Sequence, residues 1–403
     1  MARNAMAVSA MPMVGEVAWE AEVHAVQPRL GTGWEAPLLL LLTVGLLSFG
    51  LVTLYSASAV LAQSMELPDY YFVVRQAMGG AIGMLAVVLL ARIDYRHLRR
   101  LSWPILIAIV CILVVLVMPG THAIAPTVNG ARRWLNVGPI GIQPSEFAKL
   151  ALLVWTAALC VKKQDQLPSL SRGLLPFLIV WALVAGLVFL QPNLSTALLM
   201  LLLCGTVVFA GGGRIGHFLL LGVVGLPIVW SQVDGVAYRM RRIMAFLDPT
   251  HDPAGASYQI DQALVALGSG GVFGLGFGRS QQKYGFLPEP HNDFIFAMVG
   301  EEWGLLGVGA LVVAFVAIAL IGYRIAKHAP DLFGYLLAVG MTNLIVVQAL
   351  LHMAVNLSLV PTTGMALPFL SYGRSNLMVS LAAVGILMSV ARASALAERG
   401  GRE

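Results

Sequence analysis

The sequence predicts an all-α polytopic membrane protein of about ten transmembrane helices. Three observations predict it. Of the 403 residues, 58% are hydrophobic and 11% charged, against roughly 25% charged in a soluble domain, so the charges are too few to coat a soluble particle of this size. Apolar runs recur at the length that crosses a hydrocarbon core of about 30 Å. Lys and Arg concentrate in alternate connections between those runs. The same composition excludes other classes. Gly (42) and Pro (20) show no three-residue period, which excludes collagen-like and low-complexity chains. The three cysteines, Cys111, Cys160 and Cys204, all lie inside apolar runs, so neither a disulfide framework nor a metal site follows. The net charge of +5 comes with no long basic run, and nucleic acid is not an expected partner.

The elements follow in order. Residues 1–36 carry Glu16, Glu20 and Glu22 and no continuous apolar core. They are expected to form a disordered cytoplasmic tail rather than a signal peptide. Ten spans are expected at 37–60, 73–90, 104–118, 147–161, 174–190, 194–210, 215–230, 294–322, 332–357 and 373–391, within one membrane domain covering 37–391. Residues 392–403 form a second cytoplasmic tail. With the N-terminus inside, 15 of the 25 Lys and Arg fall on the inner side, whereas the short outer connections near 61–72 and 191–193 carry none. This is the positive-inside pattern.

The outward-facing content is unusual. One outer connection covers 119–146 and a second, between the seventh and eighth spans, covers 234–292. A loop of 59 residues in a compact protein is expected to be functional, and a short interfacial helix is expected at 257–267. The Gly-rich stretch 268–278 fits neither phosphate-loop spacing and follows no strand; glycines that let helices approach closely are the better reading. Arg132, Arg133, Lys149, Arg239, Arg241, Arg242 and Lys283 place positive charge on the side where it is normally depleted. They are candidates for an anionic ligand, with headgroup snorkelling as the alternative for each. Glu146 and Lys149, three apart, share a helix face and are expected to neutralise each other.

Among the carboxylates, Glu301 and Glu302 lie inside the eighth span and are read as structurally paired. Asp293 sits where the long loop enters that span. An acceptor hydroxyl can reach it there, and nearby apolar surface would raise its pKa toward that of a general base. His291 beside it supplies only half a metal site, so no metal ligand set is assigned.

Five segments then resemble the SEDS family of membrane glycosyltransferases, the FtsW and RodA proteins of bacterial cell-wall synthesis. They are NGARRWLNVGPIGIQPSEFAKLAL at 129–152, LQPNLSTALL at 190–199, RRIMAFLDPTHDPAGASYQIDQALVALGSGG at 241–271, FLPEPHNDFIFAMVGEEWGLLG at 286–307 and VPTTGMALPFLSYGRSNL at 360–377. The stretch Gly278–Lys283 is nearer the FtsW branch, with RodA next. The chain departs from the family at Asn193, Ser195, Asn292, Arg374 and Asn376. The resemblance implies polymerisation of lipid II, with inversion and loss of undecaprenyl diphosphate. It places Asp293 at the position of the essential aspartate, as base. The basic residues and His291 become substrate contacts, and a divalent cation (Mg or Mn) can accompany the diphosphate. It also implies a class B penicillin-binding protein (FtsI-like) and other divisome proteins as partners, at the septum of the bacterial cytoplasmic membrane. A lipid II flippase, an elongation-type polymerase and a division scaffold are the alternatives. A flippase predicts polar residues through several span interiors, and here most interiors are bland.

Overall fold

The computed structural model describes residues 33–121, 125–126, 131–137, 140–248 and 255–400. Twelve α-helices dominate them. In chain order they are α1 (Glu35–Ser64), α2 (Tyr71–Arg92), α3 (Arg96–Val117), α4 (Pro144–Lys162), α5 (Leu175–Phe189), α6 (Leu194–Ala210), α7 (Ile215–Asp234), α8 (Ala237–Leu247), α9 (Ala256–Ser269), α10 (Ile295–Lys327), α11 (Leu332–Asn356) and α12 (Arg374–Gly400). Among the described residues, nine of these helices are long and apolar enough to cross a membrane, one of them with the helical turn Leu170–Leu174 that leads into α5. The shorter apolar α6 makes a tenth. These ten correspond one to one with the expected spans, and the chain is a multi-pass membrane protein.

Three expectations change. The third span begins at Arg96, not at 104, because α3 runs on through Arg96, His97, Arg99 and Arg100, which point into solvent; hydropathy marks where lipid begins, not where a helix does. The C-terminal tail is helical to Gly400 as a continuation of α12. The connection 119–146 contains a short antiparallel hairpin, β1 (Leu135–Val137) with β2 (Ile140–Ile142), in register Leu135 to Ile142. Its strands are too short to show alternation in the sequence. The expected interfacial helix appears as α9, and α8 precedes it in the same long loop. Of the expected N-terminal tail, residues 1–32 lie outside the described residues.

Small residues set the packing. Helix α12 lies along α2, where a Cβ at Gly79 or Gly83 would sit 3.1 Å from Arg374 or 2.4 Å from Leu381. In lipid, where apolar burial gives little drive for association, such close backbone approach is what holds helices together. Helices α4, α11 and α12 are the most enclosed. Helix α7 stands at the other extreme: Val233 is its one buried residue, and Leu219, Val223 and Leu226 are largely exposed, as suits a lipid-facing helix.

The Gly-rich stretch has a specific structural task. Helix α10 is broken at Gly304 (φ 65°, ψ −162°), and a helix broken at membrane depth leaves backbone groups that lipid cannot satisfy. Residues 271–276 supply the partners: Leu275 and Gly276 amides donate to Glu301 O and Glu302 O at 2.9 and 3.0 Å, and the Leu305 amide donates to Gly271 O at 2.9 Å. A Cβ at Gly274 would lie 2.2 Å from Glu302 O and one at Gly270 1.9 Å from Gly300 O. Close approach, not phosphate binding, accounts for these glycines.

Candidate active site

The described parts of the helix ends and connections, 65–70, 118–121, 131–137, 140–143, 190–193, 235–248, 277–294 and 357–373, gather at one end of the bundle, the end that the charge pattern reads as outer. The turn before α10 carries Asp293. The Asn292 and Asp293 amides both donate to Glu289 O, at 3.1 and 3.2 Å. Asn356, fully buried at the end of α11, locks this turn from behind. Its Nδ2 donates to Asp293 O at 3.1 Å and to His352 O at 2.9 Å, and its Oδ1 accepts the Ala297 amide at 3.1 Å. The strip between α11 and α12 lies across the front. A Cβ at Gly364 (φ 66°) would lie 3.5 Å from Asp293 Oδ2. Asp293 Oδ1 and the hydroxyls of Thr362 and Thr363 are buried without a hydrogen-bond partner. Buried polar atoms are almost always partnered, so an orphan carboxylate oxygen with two orphan hydroxyls in the strip beside it points to a place meant for a polar ligand.

Burial pushes the Asp293 carboxyl up from its ordinary 3.8 to about 6; the Glu289 carboxylate adds to this, and Arg242 opposes it. A carboxylate near 6 is ionised at neutral pH and more basic than an exposed one, as a general base requires. His291 moves the other way. Burial lowers it to about 4, so its imidazole is neutral at pH 7 and its 3.7 Å contact with Glu289 is not an ion pair there. Its ring packs on Phe72 and Tyr372, at 5.0 and 5.8 Å between centroids.

The structure sorts the predicted cations. Arg242 donates to Thr362 O at 3.1 Å and stacks over Tyr238 at 4.4 Å. Arg133 donates from Nε to Gln191 O at 2.9 Å and from Nη2 to Pro192 O. Arg239 donates to Gln232 O at 2.9 Å and covers Phe189 at 4.9 Å. Burial lowers the Arg133 pKa, and the charges of Arg242 and Arg239 lower it further. The three guanidiniums therefore share one neighbourhood, joined to Asp293 through Arg242. Arg132 turns to Met118 O at 3.0 Å, and Arg241 is exposed on α8. The two lysines are held inside the protein. Lys149, 2% exposed, pairs with Glu146 at 2.8 Å, as its spacing predicted, and donates to Gln348 Oε1 at 2.8 Å. Lys283 donates to Gly278 O at 2.6 Å and faces Glu302 at 3.8 Å. A lysine in such low-dielectric surroundings takes whatever acceptors lie near.

The paired reading of the two glutamates matches their contacts. Glu301 accepts from Ser280 Oγ at 2.5 Å and from the Gln281 amide at 2.9 Å, and Glu302 accepts from Ser56 Oγ at 2.5 Å. Sequence reasoning missed Asn356, Thr362, Thr363 and Gln348. The last three belong to, or support, the strip, since Gln348 Nε2 donates to Ala366 O at 2.8 Å. A polar residue in an apolar span was the available signal for Gln348 and Asn356. The departures from the family pattern also find places. Asn193 caps α6 by accepting the Thr196 amide at 3.3 Å, a service Asn and Asp perform equally. The Asn292 carbonyl accepts from Ser371 at 2.7 Å, and Asn376 donates to Ala366 O at 3.3 Å. Arg374 packs against Gly79 and Gly141.

Residues 37–396 match the family model FTSW_RODA_SPOVE, described as cell cycle protein. The chain is 40% identical to Stage V sporulation protein E of Bacillus subtilis over 89% of its own length and 97% of the relative's. It is 41% identical to a probable peptidoglycan glycosyltransferase FtsW of Trichlorobacter lovleyi, over 91% and 95%. Two solved structures are similar at 28% identity, each covering 88% of this chain. One, described as "Structural coordination of polymerization and crosslinking by a peptidoglycan synthase complex", superposes with TM-score 0.69 over 96% of that chain. The rod shape determining protein RodA of Thermus thermophilus superposes with TM-score 0.62 over 95%.

Proposed function

Because this chain belongs to the FtsW, RodA and SpoVE family of cell cycle proteins, we propose that it is a peptidoglycan glycosyltransferase that polymerises lipid II. One observation carries the reading: a half-buried carboxylate with an unpartnered oxygen and a pKa near 6 lies against Gly364, in the strip that holds two buried orphan hydroxyls, and is under the influence of Arg242, one of a cluster of arginines. Inverting transfer requires two things, a base for the acceptor hydroxyl and stabilisation of the departing diphosphate. Asp293 takes the proton from the acceptor's 4-hydroxyl as that oxygen attacks the donor's anomeric carbon from the side opposite the leaving group. In this reading the unpartnered Thr362 and Thr363 hydroxyls orient the acceptor. Arg242, Arg133 and Arg239 take up charge on the diphosphate as the glycosidic bond breaks. The separation of roles keeps the carboxylate on the acceptor and the cations on the leaving group.

Lys149 acts in this scheme through Gln348, which holds the strip that faces Asp293. Lys283 acts through Glu302, beside the break in α10. A divalent cation, Mg or Mn, belongs to the proposal as a companion of the diphosphate; among the described residues no three His, Cys, Asp or Glu side chains come together to hold one. The polyprenyl chains lie against lipid-facing helices such as α7. The similar complex of polymerisation and crosslinking and the FtsW relatives support a class B penicillin-binding protein as partner. The proposal extends to work with other divisome proteins at the septum of the cytoplasmic membrane, which rests on the resemblance of Gly278–Lys283 to the FtsW branch. The test is polymerisation of purified lipid II by the purified protein, alone and with the transpeptidase. Long glycan chains are expected; translocation of lipid II without any polymer would favour a flippase instead.

A further inference from the structure

Two deeply buried glutamines satisfy both ends of their amides. Gln76 donates to Ser371 O at 2.9 Å and accepts the Gly373 amide at 3.1 Å. Gln348 donates to Ala366 O and accepts from Lys149, each at 2.8 Å. Gln191, in the turn between α5 and α6, is 2% exposed, yet neither its Nε2 nor its Oε1 has a partner. Each such orphan atom costs stability. The backbone of the same residue is fully used: its amide donates to Val188 O at 3.1 Å and its carbonyl accepts from Arg133 Nε at 2.9 Å. Arg133 also binds the next carbonyl, Pro192 O. The turn is thus fixed through its main chain while the side chain has no structural task, as Asn356 arranges for Asp293. The turn also lies beside the guanidinium cluster. Arg239 covers Phe189, two residues before Gln191, at 4.9 Å, and the charges of Arg239 and Arg242 act on Arg133. An anion there takes the guanidiniums, which are stronger partners for it than an amide. A carboxamide beside them, with two hydrogens to donate and an oxygen to accept, suits an uncharged polar part of the same molecule.

We propose that Gln191 binds the donor glycan, Nε2 donating to the acetamido carbonyl of the sugar next to the diphosphate and Oε1 accepting from a hydroxyl of the disaccharide. The proposal rests on the reading of Arg133, Arg239 and Arg242 as the diphosphate site and adds a reader of the sugar to it. Arg133 links the two. When its guanidinium exchanges the neutral carbonyls of Gln191 and Pro192 for the charged oxygens of the diphosphate, the turn is released and its amide uncovered. Once the sugar has been transferred, the departing prenyl diphosphate keeps the arginine contacts but lacks the amide contact, and it is held less tightly than the donor was.

The full-length protein in detergent is titrated with lipid II, with lipid II lacking its peptide stem and with undecaprenyl diphosphate. Binding is read by native mass spectrometry and stability by melting temperature. Gln191→Leu removes the amide and keeps much of the volume. It is expected to weaken lipid II and the stemless form alike, by about tenfold, and to leave undecaprenyl diphosphate binding unchanged. Without ligand it should melt at or above the wild-type temperature, because two orphan polar atoms are gone. Arg133→Ala should weaken all three ligands. If Gln191→Leu binds lipid II as wild type does while Arg133→Ala weakens it, the sugar contact is overturned and the diphosphate reading stands; if neither variant changes lipid II binding, both fall. An effect of Gln191→Leu that vanishes without the stem would give the amide to the peptide and overturn the sugar assignment. A lower melting temperature without ligand, with all three ligands weakened equally, would make Gln191 a prop of the turn and overturn it as well.

Discussion

Asp293→Asn separates the chemistry of the carboxylate from its effect on stability, because the two move in opposite directions. Asparagine keeps the size of the side chain but takes no proton at neutral pH. A positioned general base contributes about 10²- to 10⁴-fold to rate, so polymer formation should fall by that factor. The stability effect follows from the proton affinity. The folded-state pKa of about 6 lies above the ordinary 3.8, so the folded protein holds this proton more tightly than the unfolded chain does. Below about pH 4 both states are protonated and the group is neutral for stability. Between pH 4 and 6 the unfolded chain ionises first, and stability drains away. Above 6 the loss is complete and flat. At about 1.4 kcal/mol for each tenfold change in affinity, the cost of the ionised group is at most about 3 kcal/mol.

Asn never ionises, so the variant should melt higher than wild type at pH 8 and level with it near pH 4. The assay pairs melting curves in detergent across this range with polymerisation of lipid II by the same preparations. In wild type the polymerisation rate should rise with pH through about 6 and then level off. A variant that polymerises like wild type would refute the base assignment. A variant that melts no higher at pH 8 would refute the account of a desolvated, ionised carboxylate, whatever its activity.

Three further outcomes are expected. Arg242→Ala removes one charge-assisted contact, worth about 1.5–3 kcal/mol, so lipid II use should fall about 10- to 150-fold and the acid limb of the rate should move to higher pH, since Arg242 holds the Asp293 pKa down; Arg132→Ala, directed at Met118 O, should lose less, and steady-state rates across pH compare the two. Glu301→Gln weakens an acceptor used by Ser280 and the Gln281 amide, which should cost about 1–3 kcal/mol and lower the melting temperature, with turnover per folded molecule unchanged. In a cysteine-free background, a cysteine at the exposed position Asp261 should react with an impermeant thiol reagent in intact cells and one at exposed His97 should not; the reverse pattern would put Asp293 on the wrong side for its substrate.

The spans were legible because a membrane imposes one length and one polarity on every helix that crosses it. Features that depend on a distant partner were not. Gly304 reads as an ordinary glycine within an apolar run; its break in α10 exists only because residues 271–276, some thirty positions earlier, return to satisfy the freed backbone. The cations show the same limit. Seven basic residues looked alike by side of the membrane and by motif. What separates Arg133, Arg239 and Arg242 from Lys149 and Lys283 is the kind of acceptor the fold brings into reach: backbone carbonyls for the arginines, and the carboxylates of Glu146 and Glu302 for the two lysines.

Asp293 shows where the division falls. Its place at the mouth of a span makes it a candidate base from the sequence alone, but its basicity is a property of four separate stretches of chain. Asn356 of α11 fixes the turn through the Asp293 carbonyl rather than the carboxylate, which leaves the side chain unneutralised. The strip around Thr362 and Gly364 removes water without supplying a donor to Oδ1. Glu289 raises the pKa and Arg242 restrains it. Had Asn356 or either threonine donated to the carboxylate, its charged form would have been stabilised and its pKa lowered, and the same aspartate in the same sequence position would be a weaker base. The turn is thus held by its backbone so that the carboxylate remains available to a substrate.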